Sequence, residues 1–249
     1  MPENSSPDLL LGGRIKLFQR TGHRVGTDAV LLAAAAPALP SGLIVDVGAG
    51  AGFVGLALAL ANPEARVVLL EKNSVAAEDA RRNIEANFFA ERAEVLQADL
   101  FDASARKAAG LVEAADLVVT NPPFLEARAS RASPDADRAM AHVLGEGGLA
   151  LWLKAALALL RPGGVFVLIH RADALGEILA GLGGRLGGLE IVPIFPRAGS
   201  AAIRVVVRGR KGSKAPLALL PGLVLHGEDG AFTPVAEAIH RHGRKLFDQ

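Results

Sequence analysis

From residue 43 onward, short β-branched or aliphatic runs alternate with longer segments rich in Ala, Leu and charge. Leu43-Ile44-Val45-Asp46-Val47 predicts a buried strand ending in glycines, and Phe53 to Ala61 predicts the helix after it. Arg66 to Glu71 then reads as strand and Ser74 to Asn87 as helix. Ala93 to Gln97, Leu117 to Thr120, Val165 to His170 and Ala202 to Arg208 are further strands. Gly147 to Leu160 and Ala172 to Leu182 are further helices. Alternation at this spacing predicts an α/β fold, an open and mostly parallel sheet with helices on both faces. Ligands of such sheets bind outside the carboxyl ends of the strands, which directs attention there.

Three regions break the alternation. Residues 9–40 give a polar ribbon, GRIKLFQR, and a helix from Thr27 to Ala36 stopped by Pro37. Residues 124–146 form a long polar stretch after a Pro-Pro step, read as a lid or substrate loop. Residues 209–249 open with the basic GRKGSKAP, read as a flexible linker, and close with a short helix starting near Thr233-Pro234. Gly181 to Gly188 is glycine-rich but follows a helix, so it reads as a C-cap and turn.

The 249 residues carry 27 Lys+Arg against 26 Asp+Glu, a net charge of +1. That near-neutral total conceals −5 over residues 46–190 and +5 over residues 191–249, so it does not exclude a nucleic-acid partner. Mean hydropathy is +0.32. The longest apolar run, Ala29 to Leu39, contains Pro37 and is too short to span a membrane. Cysteine is absent, which removes disulfides and thiolate chemistry and fits a reducing compartment. The opening MPENSSPD lacks the basic start of a secretory signal, so a cytoplasmic location is expected.

Asp46-Val47-Gly48-Ala49-Gly50-Ala51-Gly52 links the first of these strands to a helix, and its glycines allow close approach of a ligand. Gly50 to Gly55 satisfies G-x-G-x-x-G and Glu71 lies 21 residues beyond Gly50, so a nicotinamide dinucleotide is one reading. Asp46 opposes it, because a carboxylate just ahead of the glycines repels a pyrophosphate. It suits a cationic ligand without phosphate, and S-adenosyl-L-methionine carries an ammonium and a sulfonium. Glu71 then takes the ribose diol, and Asp99 in Ala98-Asp99-Leu100 takes the adenine amine. Singly, Glu71 also reads as a solvated loop charge and Asp99 as a helix N-cap. Three acids at three successive strand ends favour the joint, ligand-binding reading.

Asn121-Pro122-Pro123-Phe124 closes the fourth strand and is the most specific motif in the chain. Asn-Pro alone reads as a rigid strand exit. The two prolines also remove two donors and leave carbonyls turned to the site. Asn121 Oδ1 and the Pro122 carbonyl can accept both hydrogens of a planar exocyclic amine, while Phe124 stacks on its ring. Such holding aims the nitrogen lone pair for an in-line displacement, by positioning rather than by a base.

With these residues the chain resembles the class I S-adenosylmethionine-dependent methyltransferases that carry an N/D-P-P-F/Y/W motif. More narrowly, Thr21 to Leu32 (TGHRVGTDAVLL) is similar to the segment ahead of the glycine loop in the bacterial adenine-N6 methyltransferases of valine tRNA. Leu160-Arg161-Pro162-Gly163-Gly164 is shared widely among such enzymes. The resemblance implies a Rossmann-like, seven-stranded sheet with a small N-terminal extension. The chain is read as a ribbon and helix packed on the core over 1–40, a cofactor-binding domain over 41–210, and a basic linker and helix over 211–249. The resemblance places Arg24, Thr27 and Asp28 near the methionine end of the cofactor, although Thr27 or Asp28 also reads as a helix N-cap. Gly48, Gly50, Gly52, Leu100 and Asn121 complete the expected cofactor seat.

RNA, and tRNA first, is the expected substrate. Arg128, Arg131 and Arg138 in the loop, with Arg204, Arg208, Arg210, Lys211 and Lys214, are the candidates for phosphates. The latter group also reads as a solvated strand edge. An rRNA base, DNA adenine or a protein glutamine are alternative targets, and a non-catalytic RNA- or protein-binding module is another class of reading. Six histidines show no ligand spacing, so no metal is expected. No HExxH, P-loop or G-x-S-x-G occurs.

Overall fold

An antiparallel hairpin begins the fold, β1 (Asp8–Leu10) on β2 (Ile15–Leu17), and the computed structural model describes residues 6–20, 25–123 and 148–247. Helix α1 (Thr27–Ala35) follows, and then the alternating units: β3 (Gly42–Val47), α2 (Phe53–Ala61), β4 (Ala65–Glu71), α3 (Ser74–Ala86) and β5 (Ala93–Gln97). Next come α4 (Ala103–Ala108), β6 (Ala115–Thr120), α5 (Gly148–Leu157), β7 (Leu160–Arg171) and α6 (Leu175–Leu182). The chain ends with β8 (Leu186–Arg197), β9 (Arg204–Lys211), β10 (Ala218–Leu219), β11 (Leu223–His226) and α7 (Pro234–His242).

Seven strands run in the order β8-β9-β7-β6-β3-β4-β5, parallel except that β9 is antiparallel to both its neighbours. The Rossmann-like seven-stranded expectation therefore holds for the body of the sheet, and β10 and β11 extend it by pairing with β8. Order reverses between β3 and β6, the switch point where open α/β sheets bind ligands. Both sheet faces are covered, so strand residues alternate between two cores. Ile44, Leu117 and Val167 pack with Leu31, Leu56 and Ile239 on one side. Val45, Val118 and Phe166 pack with Leu153 and Ile178 on the other. Burial on both faces is why these strands read as unbroken apolar runs.

Four expectations need correction. The helix over 147–160 stops at Leu157, because Leu159 and Leu160, both fully buried, belong to the turn into β7 and its first residue. The glycine-rich turn over 181–188 already contains the start of β8, a strand not anticipated. The prolines of β8 hid it: Pro193 falls between the residues paired to β10 and those paired to β11, a gap where a missing N–H is tolerated. The strand over 202–208 runs from Arg204 to Lys211 and absorbs the start of the expected linker. Finally, the stretch after 211 adds β10 and β11 to the sheet.

Asn83, fully buried on α3, fastens the N-terminal ribbon to this body. Its Oδ1 accepts the Phe18 N–H at 2.7 Å, and its Nδ2 donates to the Phe18 carbonyl at 2.8 Å and the Ala51 carbonyl at 2.9 Å. Asn83→Ala leaves these groups without partners and should cost on the order of 3 kcal/mol in denaturant unfolding. A loss below about 0.5 kcal/mol, the range of a plain surface substitution, would contradict that role.

Candidate functional site

The site is built on the turn between β3 and α2. Gly48, Gly50 and Gly52 take φ of 72°, 57° and 89°, left-handed values that other residues rarely adopt. Gly52 acts behind the surface, where it caps α2 and where a Cβ would meet Leu69 at 2.9 Å. A Cβ on Gly50 would meet nothing within 4 Å. Gly55 lets α2 lie close to the sheet, since a Cβ there would stand 1.9 Å from Leu69 Cδ2. Its N–H donates to Asp46 Oδ2 at 2.9 Å. Asp46 is 2% exposed. Burial pushes its carboxyl up to about 7, against the Gly55 bond, with the Glu71 charge adding to the rise.

Two cavities open beside this turn, of about 540 and 660 Å³, sizes typical of small-molecule sites. They share Gln19, Gly48, Gly50, Ala51 and Asn121. The first is lined by Glu71, Lys72, Asp99, Leu100, Pro123 and Trp152. Glu71 is no free loop charge: its two oxygens accept the N–H groups of Gly50 at 2.8 Å and Asn73 at 2.7 Å. A carboxylate has about four lone-pair sites, so acceptor capacity remains. Nor does Asp99 cap a helix; Asp102 caps α4, while Asp99 accepts Phe101 N–H and pairs with Lys72 Nζ at 2.6 Å. Partial burial raises the Asp99 carboxyl, but Lys72 and the Phe101 N–H together hold it below its ordinary value.

Thr27, Asp28, Asp46, Ile203, Arg204 and His226 are among the residues lining the second cavity. Neither Thr27 nor Asp28 caps α1: Gly26 holds that position without a side-chain bond. The Asp28 carboxylate instead pairs with Arg204 at 2.8 Å, across 176 residues of sequence.

Asn121 stands where the cavities meet, at the end of β6. Thr120 just before it is fully buried, donates to the Val47 carbonyl at 3.0 Å and accepts from Trp152 Nε1 at 3.0 Å. Trp152 in turn meets the edge of Phe101, with ring centroids 6.1 Å apart. The strand exit is thus fixed from both sides. Asn121 Oδ1 is buried and has no hydrogen-bond partner among the described residues. An orphaned buried acceptor costs free energy, so it marks a place where a donor is expected.

The structure thus brings Thr27, Asp46, Gly48, Gly50, Glu71, Asp99, Leu100, Asn121 and Pro123 to the two cavities, with Pro122 buried behind. Arg24, Phe124, Arg128, Arg131 and Arg138 lie outside the described residues. Much of the basic stretch is engaged within the chain. Besides Arg204, Arg208 pairs with Glu190 at 2.7 Å, Arg210 donates to the Gly163 carbonyl at 2.6 Å and Lys211 pairs with Glu113 at 2.9 Å; Lys214 is exposed. Sequence reasoning missed Gln19, Lys72 and Trp152. The last was flagged only by being the sole tryptophan. Among the described residues, no acidic or histidine group is arranged to hold a metal, and no helix is long and apolar enough to cross a membrane.

Comparison with known proteins finds methyltransferases. The methyltransferase small domain family matches residues 17–177. A Porphyromonas gingivalis protein named tRNA1(Val) (adenine(37)-N6)-methyltransferase is 38% identical over 159 residues, which span 62% of this chain and 61% of that relative. One of the same name from Aeromonas hydrophila is 32% identical over 217 residues, 86% of this chain and 87% of the relative. A crystal structure from Agrobacterium tumefaciens, described as a predicted O-methyltransferase, superposes with a TM-score of 0.72 at 36% identity, covering 88% of this chain and 98% of that one. The chain belongs to the methyltransferase small domain family.

Proposed function

We propose that the chain is an S-adenosyl-L-methionine-dependent methyltransferase that modifies N6 of an adenine in tRNA, in the cytoplasm. The observation that carries this reading is Asn121 Oδ1, a buried acceptor without a partner among the described residues, at the junction of two cavities. The names of the Porphyromonas and Aeromonas relatives support tRNA as substrate and adenine N6 as the target. When bound, S-adenosylmethionine supplies a methyl group activated on a sulfonium. The donor set of the site fits it: acceptors Glu71 and Asp99 lie in one cavity, and buried Asp46 faces the other.

The chain's own residues then act by placement. Glu71 accepts from a ribose diol, Asp99 and Leu100 hold the adenine end, and Gly48 and Gly50 give the turn its close approach. Asn121 Oδ1 and the Pro122 carbonyl accept the two hydrogens of the target amine, which keeps its lone pair out of the ring and aimed at the methyl carbon. Phe124 stacks on the target base, and the amine loses its extra proton after transfer. Arg24 and Thr27 border the methionine end. Phosphates are neutralised by Arg128, Arg131, Arg138 and Lys214, and to a smaller extent by the internally bonded Arg204, Arg208, Arg210 and Lys211.

Transfer of labelled methyl to tRNA lacking the modification tests this reading. Asn121→Ala should lower kcat by on the order of 100-fold, more than it changes cofactor affinity. Undiminished transfer would overturn the assigned mechanism, and label appearing in DNA or protein but not RNA would overturn the substrate.

Asp46 gives a second expectation. Its carboxyl ordinarily titrates at 3.8 and in the fold at about 7, so between these values the folded chain holds a proton that the unfolded chain has lost. Stability of the ligand-free protein should therefore fall as pH rises across that window and level off above it. Asp46→Asn should flatten the fall and raise the melting temperature at alkaline pH, while weakening cofactor binding. A cation nearby favours the carboxylate. Calorimetry in buffers of different ionisation heat should hence detect proton release on binding near neutral pH. Binding without proton release, or unweakened in Asp46→Asn, would contradict a cation beside Asp46.

A further inference from the structure

Besides Asn121 and the residues assigned to the cofactor, the second cavity is lined by Ile194, Ile203, Arg204, Leu225 and His226. This wall comes from β8, β9, β11 and the segment leading into β9; of these, β8 was not anticipated and β11 falls in the stretch read as a linker. At its edge stands a column of three rings. His226 stacks on Phe232 at 4.9 Å between centroids and 15° between planes, and Phe232 stacks on His240 at 4.3 Å and 21°.

The column is held by backbone rather than by mobile side chains. His226 Nδ1 lies 3.1 Å from the Gly230 carbonyl, so it is the protonated nitrogen, since a carbonyl can only accept. The turn carrying Gly230 is closed by Gly227 N–H to the Ala231 carbonyl at 2.9 Å and by Ala231 N–H to Asp229 Oδ1 at 3.0 Å. Thr233 then ties Phe232 to β11, through its N–H to Leu225 and its Oγ1 to Val224, both at 2.8 Å. Phe232 covers one face of the His226 ring, and His226 also lines the cavity. Beside it, the Arg204 charge is paired with Asp28, and the rest of the wall is aliphatic.

We propose that His226 is a stacking surface for the nucleobase delivered to Asn121, so that the C-terminal β11–α7 unit forms part of the substrate site. This rests on the reading of the chain as a methyltransferase of an RNA base. A base drawn out of a helix or loop forfeits its stacking, and a preset ring replaces it without an ordering cost. His226 lines the second cavity only, not the one bordered by Glu71 and Asp99. Asp46 and Thr27 line this same second cavity, so the cofactor Kd of each variant is what separates a contact to the base from a contact to the cofactor. Removal of His226 should affect the RNA and leave that Kd unchanged.

The test is methyl transfer to unmodified tRNA by wild type, His226→Ala, His226→Gln and His226→Phe, with cofactor Kd measured on each by calorimetry. His226→Ala and His226→Gln should lose roughly 10- to 100-fold in kcat/KM for tRNA. His226→Phe should stay within a few-fold of wild type, and cofactor Kd should be unchanged throughout. Should His226→Ala fail to fold, the Gln and Phe variants carry the same comparison. Wild-type transfer by His226→Gln, equal losses in Gln and Phe variants, or a cofactor Kd that weakens in step would each overturn the proposal while leaving the methyltransferase reading intact. No transfer to tRNA by wild type would instead overturn the reading beneath it.

Discussion

A carboxylate buried under a glycine turn sets the geometry of this protein. Asp46 accepts the N–H of Gly55, and that bond holds the first turn of α2 against β3 at a separation only glycine at position 55 permits. The arrangement is costly, because burial opposes the ionised form and leaves the carboxyl titrating near neutrality. A cation above the turn would offset that cost. Gly48 and Gly50 of the same turn line both cavities. Thr120, Val47 and Trp152 then fix β6 beside β3, and this delivers Asn121 to the meeting point.

The body of the sheet was legible because parallel strands buried on both faces are written as apolar runs. Phe53–Ala61 and Ala93–Gln97 match their expected bounds. What stayed hidden was β8, whose glycines and prolines imitate a turn and whose pairing depends on β9, β10 and β11 rather than on its own sequence. The end of α5 was misplaced for a related reason. Apolar residues continue from the helix into β7, and hydrophobicity alone does not say where the period changes.

The candidate site divides similarly. Asp46, Glu71, Asp99 and Asn121 could be read because each closes or follows a strand, so position along the chain gives position in space. The ion pair of Asp28 could not be read, because its partner Arg204 is distant in sequence and is brought near only by β9. Charge counting misled in the same way. The surplus of +5 over residues 191–249 suggested a surface for phosphates, yet several of those side chains pair with this chain's own acids and carbonyls. Segment totals count charges without saying which are already paired.

The proposed activity, formation of N6-methyladenosine in tRNA, is tested most directly by mass spectrometry of tRNA nucleosides from cells lacking the gene. N6-methyladenosine in tRNA should fall in the deletion strain and return when the wild-type gene is restored. Unchanged tRNA N6-methyladenosine, with a methyl group missing instead from ribosomal RNA, DNA or protein, would contradict it.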